Sequence, residues 1–462
     1  MMTTRRLSLV AALLASAVAV SGCSTINRLN PFDRDEGPQE VAGEGERISI
    51  IAFDETLSVS DTLRGADFFL PTPYERESWP LPGGNLEQAV EHVVAPVNFD
   101  VAWRRDFGEA SGRGHHVTAP PVVAEGRIYV MDGAAQVSAF DAKSGREVWS
   151  QDLAPSRRDE REGFGGGLAF ADGKLYVTSG YRFVARLNAG TGAVEWRRDV
   201  EQPIHAAPTV TAGRVMAVAI DNTLLTFEVA TGTPSWTYQA LSEPARILEA
   251  SSPAVSGETV VASFSSGELV ALRSANGNDL WNEGLSRASR TNALSEIRDI
   301  PGRPAIYRGD VYAVSHSGVF AAVDLRTGAP RWTLPVTGIT TPWPAGDVVY
   351  VVSKAGEVVC VSRESGQVYW IQDLNEGIEP EKKGGFFGIG GRSVGRPIWT
   401  SPLLASGKLV VASSSGEMAV LNAKTGEVER RFELGSPVLI APIAVDGMIY
   451  VVTDEARLIA LS

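Results

Sequence analysis

The chain has 462 residues, of which 44% are hydrophobic and 21% are charged, as is ordinary for a globular protein. Its 47 glycines and 26 prolines indicate many turns and favour β-structure over long helices. The formal net charge is −13 and becomes more negative without residues 1–22, which hold two arginines and no acidic residue. A chain of this charge is repelled by nucleic acid, so we expect no nucleic-acid partner.

The N-terminus has the pattern of a bacterial export signal. Arg5 and Arg6 precede an apolar run, Leu7–Val20, which is too short to span a bilayer. We therefore predict that residues 1–22 are a signal peptide, removed on export.

The signal ends at a predicted lipid-attachment site. The sequence Val-Ser-Gly before Cys23 resembles the lipobox of bacterial lipoproteins, in which the cysteine sulfur carries diacylglycerol. The alternative is a chance cysteine after an ordinary signal. The residue after the cysteine is Ser24 rather than aspartate. In this the chain resembles lipoproteins that are sorted to the outer membrane. We therefore predict a periplasm-facing outer-membrane lipoprotein that contacts the membrane only through its anchor at Cys23.

Two segments separate this site from the repeats described next. Residues 23–47 are polar without a hydrophobic period and are predicted to be a flexible tether. Residues 48–96 are predicted to be an extension that packs on the folded domain, with one strand-like run, Ile48–Ile51, and a short helix capped by Asn85. Because Cys360 is the only other cysteine, we expect no intrachain disulfide and a buried thiol.

Internal repetition is the main signal of the remaining chain. A first glycine recurs eight times, at Gly126, Gly173, Gly213, Gly257, Gly309, Gly346, Gly407 and Gly447. A second glycine follows 19 or 20 residues later in seven units, at Gly145, Gly192, Gly232, Gly277, Gly328, Gly366 and Gly426. A tryptophan comes next at Trp149, Trp196, Trp236, Trp281, Trp332 and Trp370, with Arg430 in its place in the seventh unit.

This repeat predicts an all-β fold, an eight-bladed β-propeller spanning residues 97–462. Short β-branched and aromatic runs bounded by turn residues give four strands per unit, which is one propeller blade, and the recurrent tryptophan is predicted to fill the space between blades. The eighth unit ends before its tryptophan strand. Because Val101–Phe107 matches the tryptophan strand of the first unit, we predict that it completes the last blade and closes the ring.

Several phrases carry a family resemblance. Phe140–Trp149 and Leu325–Trp332 resemble the quinoprotein-type propeller repeat rather than the WD repeat. With the lipobox, the Ser-Trp-Pro around Trp79, and Gly318–Gly328, the mature chain resembles the BamB family, lipoproteins of the outer-membrane β-barrel assembly machinery. The resemblance implies a non-catalytic scaffold without cofactor. It would bind the periplasmic POTRA domains of BamA and other subunits of the complex, and would aid insertion of unfolded β-barrel precursors.

The resemblance also implies two contact loops. The family's first loop maps onto the segment before Ser251, where Ile247 keeps the apolar character and Leu248 replaces an arginine. The second maps onto Asp299, which keeps the first acid of an Asp-x-Asp segment, with Arg298 adjacent and Pro301 replacing the second acid. The predicted partner-binding residues are Ile247, Leu248, Arg298 and Asp299. The alternative is that both segments merely connect blades.

The residues argue against several other kinds of functional site. Quinone-cofactor dehydrogenases share this repeat, and the enzymes of that family have a vicinal cysteine pair above the cofactor. The single Cys360 of the repeat region cannot supply such a pair. The hydrolase pattern G-x-S-x-G at residues 391–395 lies in a glycine-rich stretch without the strand-to-helix turn it needs. His115 and His116 are adjacent and would point to opposite faces of an extended segment, so no metal site is predicted. A generic envelope propeller that binds peptidoglycan or extended peptide remains as a further alternative.

Overall fold

A computed structural model describes residues 57–155, 163–243, 247, 251–286, 297–378, 381–383 and 392–462. The predicted lipid site Cys23, the signal and tether, the run Ile48–Ile51, and Leu248 lie outside these ranges. No helix in the described ranges is long and apolar enough to cross a membrane.

Eight antiparallel sheets of four strands form the fold, which confirms the predicted eight-bladed propeller. In chain order we call the blades A to H. Blade A holds β2 (Val122–Ala124), β3 (Arg127–Met131), β4 (Gln136–Asp141) and β5 (Glu147–Asp152). Blade B holds β6 (Gly166–Ala171), β7 (Lys174–Ser179), β8 (Phe183–Asn188) and β9 (Val194–Asp199). Blade C holds β10 (Thr209–Thr211), β11 (Arg214–Val218), β12 (Thr223–Glu228) and β13 (Pro234–Gln239). Blade D holds β14 (Ala254–Ser256), β15 (Thr259–Ser263), β16 (Glu268–Arg273) and β17 (Asp279–Gly284).

The second half of the ring repeats the pattern. Blade E holds β18 (Ala305–Tyr307), β19 (Asp310–Val314), β20 (Phe320–Asp324) and β21 (Pro330–Leu334). Blade F holds β22 (Trp343–Ala345), β23 (Val348–Val352), β24 (Glu357–Ser362) and β25 (Val368–Asp373). A two-stranded ribbon follows, β26 (Glu381–Lys383) with β27 (Arg392–Val394). Blade G holds β28 (Leu403–Ala405), β29 (Lys408–Ala412), β30 (Glu417–Asn422) and β31 (Val428–Glu433).

Blade H closes the ring as the repeat predicts. Its strands β32 (Ile443–Val445), β33 (Met448–Val452) and β34 (Arg457–Leu461) come from the C-terminus, and its outer strand is β1 (Val101–Asp106). β1 pairs antiparallel with β34, with Trp103 opposite Ala460 and Asp106 opposite Arg457. Because both ends of the ring share one sheet, opening the ring would break a four-stranded blade.

The recurrent tryptophans pack between blades, against the second glycine of the next unit. A Cβ added to Gly232 would lie 2.7 Å from Trp196 of the preceding blade, and the other six second glycines face the preceding tryptophan in the same way. These glycines have positive φ, which costs little only in glycine. Most of the indoles also donate their N–H across the same joint, as Trp196 does to the Val229 carbonyl at 3.1 Å. The glycine and the tryptophan therefore form one interlocking joint between blades.

The propeller has two unlike faces. On one face, which we call the turn face, the glycine turns join the first strand of each blade to the second and the third strand to the fourth. The other face, which we call the loop face, carries the connections between blades and the turns from the second to the third strand of each blade. Residues 57–95, which we call the strap, run over the turn face. Backbone bonds link the strap to several blades, as from Val123 of blade A to Trp79 at 2.9 Å, from Val255 of blade D to Leu86 at 2.7 Å, and from Val93 to Leu404 of blade G at 3.1 Å.

A histidine fixes the strap where it crosses blade G. The N–H of Gly407 donates to His92 Nε2 at 2.7 Å, so the ring carries its proton on Nδ1, which donates to the Pro71 carbonyl at 2.6 Å. Burial lowers the pKa of His92, while the bond to Pro71 opposes this shift. The neutral imidazole therefore holds two segments together.

The predicted helix at Asn85 is wrong. Residues 81–88 form successive turns, with the Asn85 side chain bonded to both backbone groups of Ala89. The carbonyls of Leu86 and Glu87 accept N–H groups from blades D and E, and a helix would have claimed these carbonyls for its own bonds. Tertiary bonding therefore overrides the local capping signal.

Cys360 is fully buried in β24, opposite Trp370 of β25. Burial raises the pKa of its thiol well above the usual value. The structure therefore places it as a packing residue, as its valine-rich strand indicates.

Candidate partner-binding face

The loop face brings two predicted contact segments together. Asp299 accepts the N–H of Ile247 at 2.8 Å through its carboxylate, although 52 residues separate the two in sequence. The backbone carbonyl of Asp299 also accepts the N–H of His316 at 2.8 Å. The blade C–D and D–E connections are therefore joined at Asp299, which is only 3% exposed.

The predicted residues differ in what they can offer a partner. Ile247 is half-buried and Arg298 is exposed, so both present side-chain surface on the loop face. A Cβ added to Gly267 would lie 3.0 Å from Arg298, which places Arg298 over the β15–β16 turn of blade D. Asp299 instead points inward and holds the backbone of Ile247. Leu248 is outside the described residues.

His316 lies next to the contact between Asp299 and Ile247. The side chain is 9% exposed, and its Nε2 lies 2.8 Å from Nζ of Lys354 in blade F. Burial, followed by the charge of Lys354, lowers the pKa of His316, so the ring is neutral at pH 7 and accepts a bond from the ammonium. A neutral ring and the Lys354 ammonium therefore tie blade E to blade F beside the Asp299 segment.

A central cavity of about 300 Å³ opens beside the Asp299–Ile247 contact, and it is lined by the segments that lead into the first strands of all eight blades. Ile247 and Pro301 lie on its wall, so it adjoins the predicted contact segments. The strap contributes Pro82, on the turn-face side. On the loop-face side, Ile398 and Leu439 are 40% and 51% exposed. The cavity therefore runs inward from the loop face toward the strap.

One repeat position contributes a residue to this cavity from seven blades. The position is two residues before the first strand and precedes a proline; its occupants are Pro120, Ala207, Ser252, Arg303, Thr341, Ser401 and Ala441. Proline holds the preceding residue in extended conformation, which keeps these residues in register around the axis. Sequence reasoning missed this ring, although the recurring X-Pro before each first strand is a signal that could have found it.

Three members of this ring form a hydrogen-bonded row. The backbone N–H of Arg303 donates to Thr341 Oγ1 at 3.1 Å, and the N–H of Thr341 donates to Ser401 Oγ at 2.8 Å. Across the cavity, Phe164 stacks edge-on against His116 and His205, with ring centroids 5.3 and 5.1 Å away. The cavity lining therefore combines hydrogen-bonding side chains with aromatic rings.

The histidine pair and the G-x-S-x-G pattern lie apart from this cavity lining. His115 lies 3.4 Å from Glu109, and within the described residues no group of three or more His, Cys, Asp or Glu side chains could hold a metal ion. Of the G-x-S-x-G pattern, Arg392–Val394 forms a strand of the two-stranded ribbon, and Gly391 is outside the described ranges.

Comparison with known proteins identifies the family. The family model described as outer membrane protein assembly factor BamB matches residues 92–159, 135–372 and 388–462. A relative of that description from Shewanella oneidensis is 25% identical over 377 residues, covering 80% of this chain and 90% of its own. Another from Moranella endobia is 23% identical over 348 residues, covering 74% and 84%.

Solved structures show the same fold. BamB from Moraxella catarrhalis matches with a TM-score of 0.61 at 17% identity, covering 78% of this chain and 98% of that one. Quinohemoprotein alcohol dehydrogenase from Comamonas testosteroni matches with 0.64 at 14% identity, covering 83% and 80%. At these identities the likeness shows the propeller alone. Because the family model spans all eight blades, the chain belongs to the outer membrane protein assembly factor BamB family.

Proposed function

We propose that this chain is a non-catalytic scaffold lipoprotein of the β-barrel assembly machinery, held at the periplasmic face of the outer membrane by a lipid on Cys23. The observation that carries the proposal is the family match over the whole propeller, together with relatives named as assembly factors. Its role is to bind the POTRA domains of BamA and to aid folding and insertion of barrel precursors. The lipobox and export signal support the location.

The docking surface we propose is the part of the loop face formed by the C–D and D–E connections. Ile247 supplies an apolar contact and Arg298 a charged one, since both present side-chain surface there. Asp299 acts as a positioning residue because its buried carboxylate fixes the backbone of Ile247. Leu248 belongs to the same proposed surface through the family resemblance.

The test is recovery of the lipoprotein with tagged BamA from outer membranes. Ile247→Asp combined with Arg298→Glu should lower recovery at least about tenfold, because interface centres tolerate neither buried charge nor charge reversal. The matched control is Leu439→Asp with Arg326→Glu, which makes the same kinds of change outside the proposed surface. Leu439 lies in the connection between blades G and H, and Arg326 lies on the turn face. Recovery of the control should equal wild type.

Asp299 calls for a separate variant. Asp299→Asn keeps the shape of the side chain and weakens its bond to the Ile247 N–H, since a charged acceptor binds more strongly than a neutral one. We expect a smaller loss of BamA recovery than for the double variant, with thermal stability lowered by a few degrees at most. Normal recovery of both variants would remove this surface from the interface.

The quinone-cofactor alternative gives an opposite result in a simple assay. Its support is the shared fold, which carries no chemistry by itself. We expect titration with pyrroloquinoline quinone and calcium to give no stoichiometric binding and no dye reduction with alcohols. Stoichiometric binding with turnover would replace the scaffold proposal with an enzymatic one.

A further inference from the structure

Leu241 is exposed on the loop face although its backbone is fixed on both sides. Its N–H donates to the Glu268 carboxylate of blade D at 2.8 Å, and its carbonyl accepts from Asn222 Nδ2 of blade C at 2.7 Å. Leu241 is nevertheless 68% exposed, against 51% for Leu439 and 40% for Ile398 on the same face. An apolar side chain on a backbone that is already ordered loses little conformational freedom on binding, so Leu241 is suited to contact a partner.

Leu241 borders a groove between blades C and D that carries negative charge. Asp221, Tyr238 and Glu268 line this groove with it. The Asp221 carboxylate accepts the backbone N–H of Thr223 at 3.1 Å, and Glu268 accepts only from uncharged donors. No lysine, arginine or histidine of the described residues forms an ion pair with either carboxylate. The groove therefore combines apolar surface with two carboxylates that the described chain leaves without a countercharge.

The repeat shows which cation this groove lacks. At the same position of blade G, Glu417 pairs with Arg431 at 3.1 Å. The residue of blade D that occupies the register of Arg431 is Asn282, which donates to Glu268 at 2.8 Å without supplying charge. Burial favours the neutral form of Glu268, but hydrogen bonds from its neighbours outweigh this and hold the pKa of its carboxyl below the usual value. Glu268 is therefore charged at pH 7, and blade D does not supply the cation that blade G does.

The groove is continuous with the docking surface proposed above. Leu241 lies on the same C–D connection as Ile247. Glu268 begins β16, directly after the turn at Gly267 over which Arg298 lies. A partner seated on Ile247 and Arg298 would therefore reach the groove, and the two carboxylates favour a cation at that place on the partner.

We propose that this groove binds an arginine side chain of BamA. The guanidinium donates to Asp221 and Glu268, and the apolar stem of the arginine packs on Leu241 and Tyr238. Arginine fits better than lysine, because its planar group presents several donors at once to two carboxylates and its methylene stem covers apolar surface. This inference rests on the proposed function, since it names the group that BamA presents to the docking surface.

The experiment measures the affinity of the full lipoprotein for purified BamA by interferometry, with both proteins in detergent, at about 50 and about 300 mM NaCl. Asp221→Asn combined with Glu268→Gln keeps both acceptors and removes both charges. We expect this variant to bind about tenfold more weakly than wild type at low salt and to lose most of the salt dependence of wild type. Leu241→Ser should bind about fivefold more weakly with the salt dependence of wild type, because it removes an apolar contact alone.

Matched controls remove the same groups elsewhere on the loop face. Asp373→Asn with Glu433→Gln neutralises two carboxylates at the ends of β25 and β31, and Leu439→Ser removes an exposed leucine from the G–H connection. Both controls should bind like wild type. If the groove variants bind BamA as tightly as wild type, or the controls weaken binding equally, the groove proposal fails and the docking proposal stands. If wild type itself does not bind BamA, both proposals fail.

A chemical measurement keeps the test decisive if a groove variant is less stable. Phenylglyoxal modifies accessible arginines, and peptide mass spectrometry locates the modified residues in BamA. The wild-type lipoprotein should protect at least one BamA arginine, and the control with Asp373→Asn and Glu433→Gln should protect the same one. The variant with Asp221→Asn and Glu268→Gln should lose that protection. Protection of no arginine by wild type, or protection that persists in the groove variant, would overturn the proposal.

Discussion

The blade joint makes a quantitative prediction at two glycines of blade C. Gly232 and Gly213 both have positive φ, 67° and 75°, so alanine at either position adopts a disfavoured conformation at a cost of about 1 kcal/mol. The surroundings differ. A Cβ at Gly213 meets nothing within 4 Å, whereas a Cβ at Gly232 lies 2.7 Å from Trp196 and 3.1 Å from Arg198. Displacing the indole adds about 1–3 kcal/mol to the cost of Gly232→Ala.

The assay is urea unfolding followed by tryptophan fluorescence, with the free energy of unfolding compared among wild type, Gly213→Ala and Gly232→Ala. In the background of Trp196→Ala, most of the extra cost of alanine at Gly232 should disappear, because the indole is absent and only the flexible Arg198 side chain remains close. Equal destabilisation by the two glycine variants, or an extra cost that persists without Trp196, would refute the idea that the glycine makes room for the tryptophan.

Three further predictions follow from buried polar groups. Trp332→Phe should lower the free energy of unfolding by about 1 kcal/mol more than Trp370→Phe does. The reason is that the Trp332 N–H donates to the Arg363 carbonyl at 2.9 Å, whereas the buried Trp370 N–H has no partner among the described residues. The urea midpoints of the two variants measure the difference. Burial lowers the pKa of His92, so the contribution of its neutral ring to stability is complete above the ordinary histidine pKa of 6.5 and is lost as the pH falls. Hydrogen exchange of the strap, corrected for intrinsic rates, should therefore be faster at pH 5 than at pH 7.5. The variant His92→Gln should remove that difference. The Cys360 thiol, whose pKa burial raises, should resist iodoacetamide at pH 8 until urea unfolds the ring, and labelling of the native protein at the rate of a free thiol would contradict its burial.

The ring could be predicted from the sequence because its rules are local and repeated. Each first glycine forms a tight turn, and each second glycine faces a tryptophan at fixed spacing, so eight copies give the blade count. The match of Val101–Phe107 to a tryptophan strand was enough to predict closure of blade H. Such signals depend on residues within one unit, or on two neighbouring units.

The strap could not be predicted because its conformation depends on distant partners. The carbonyls of Leu86 and Glu87 bond to blades D and E, and no local pattern near Asn85 reveals bonds that span more than 160 residues. The same limit applies to the candidate site. Asp299 was predicted as a contact residue, and its acidic character does not reveal that it is buried and bonded to Ile247.

The most direct test of the scaffold role is photo-crosslinking in the intact cell envelope, with the same photoreactive amino acid at position 298, 247 or 326. Positions 298 and 247 lie on the loop face, and position 326 lies on the turn face. We expect adducts with BamA from positions 298 and 247 and none from position 326. Absence of BamA adducts at both loop-face positions, or adducts of equal yield at position 326, would contradict it.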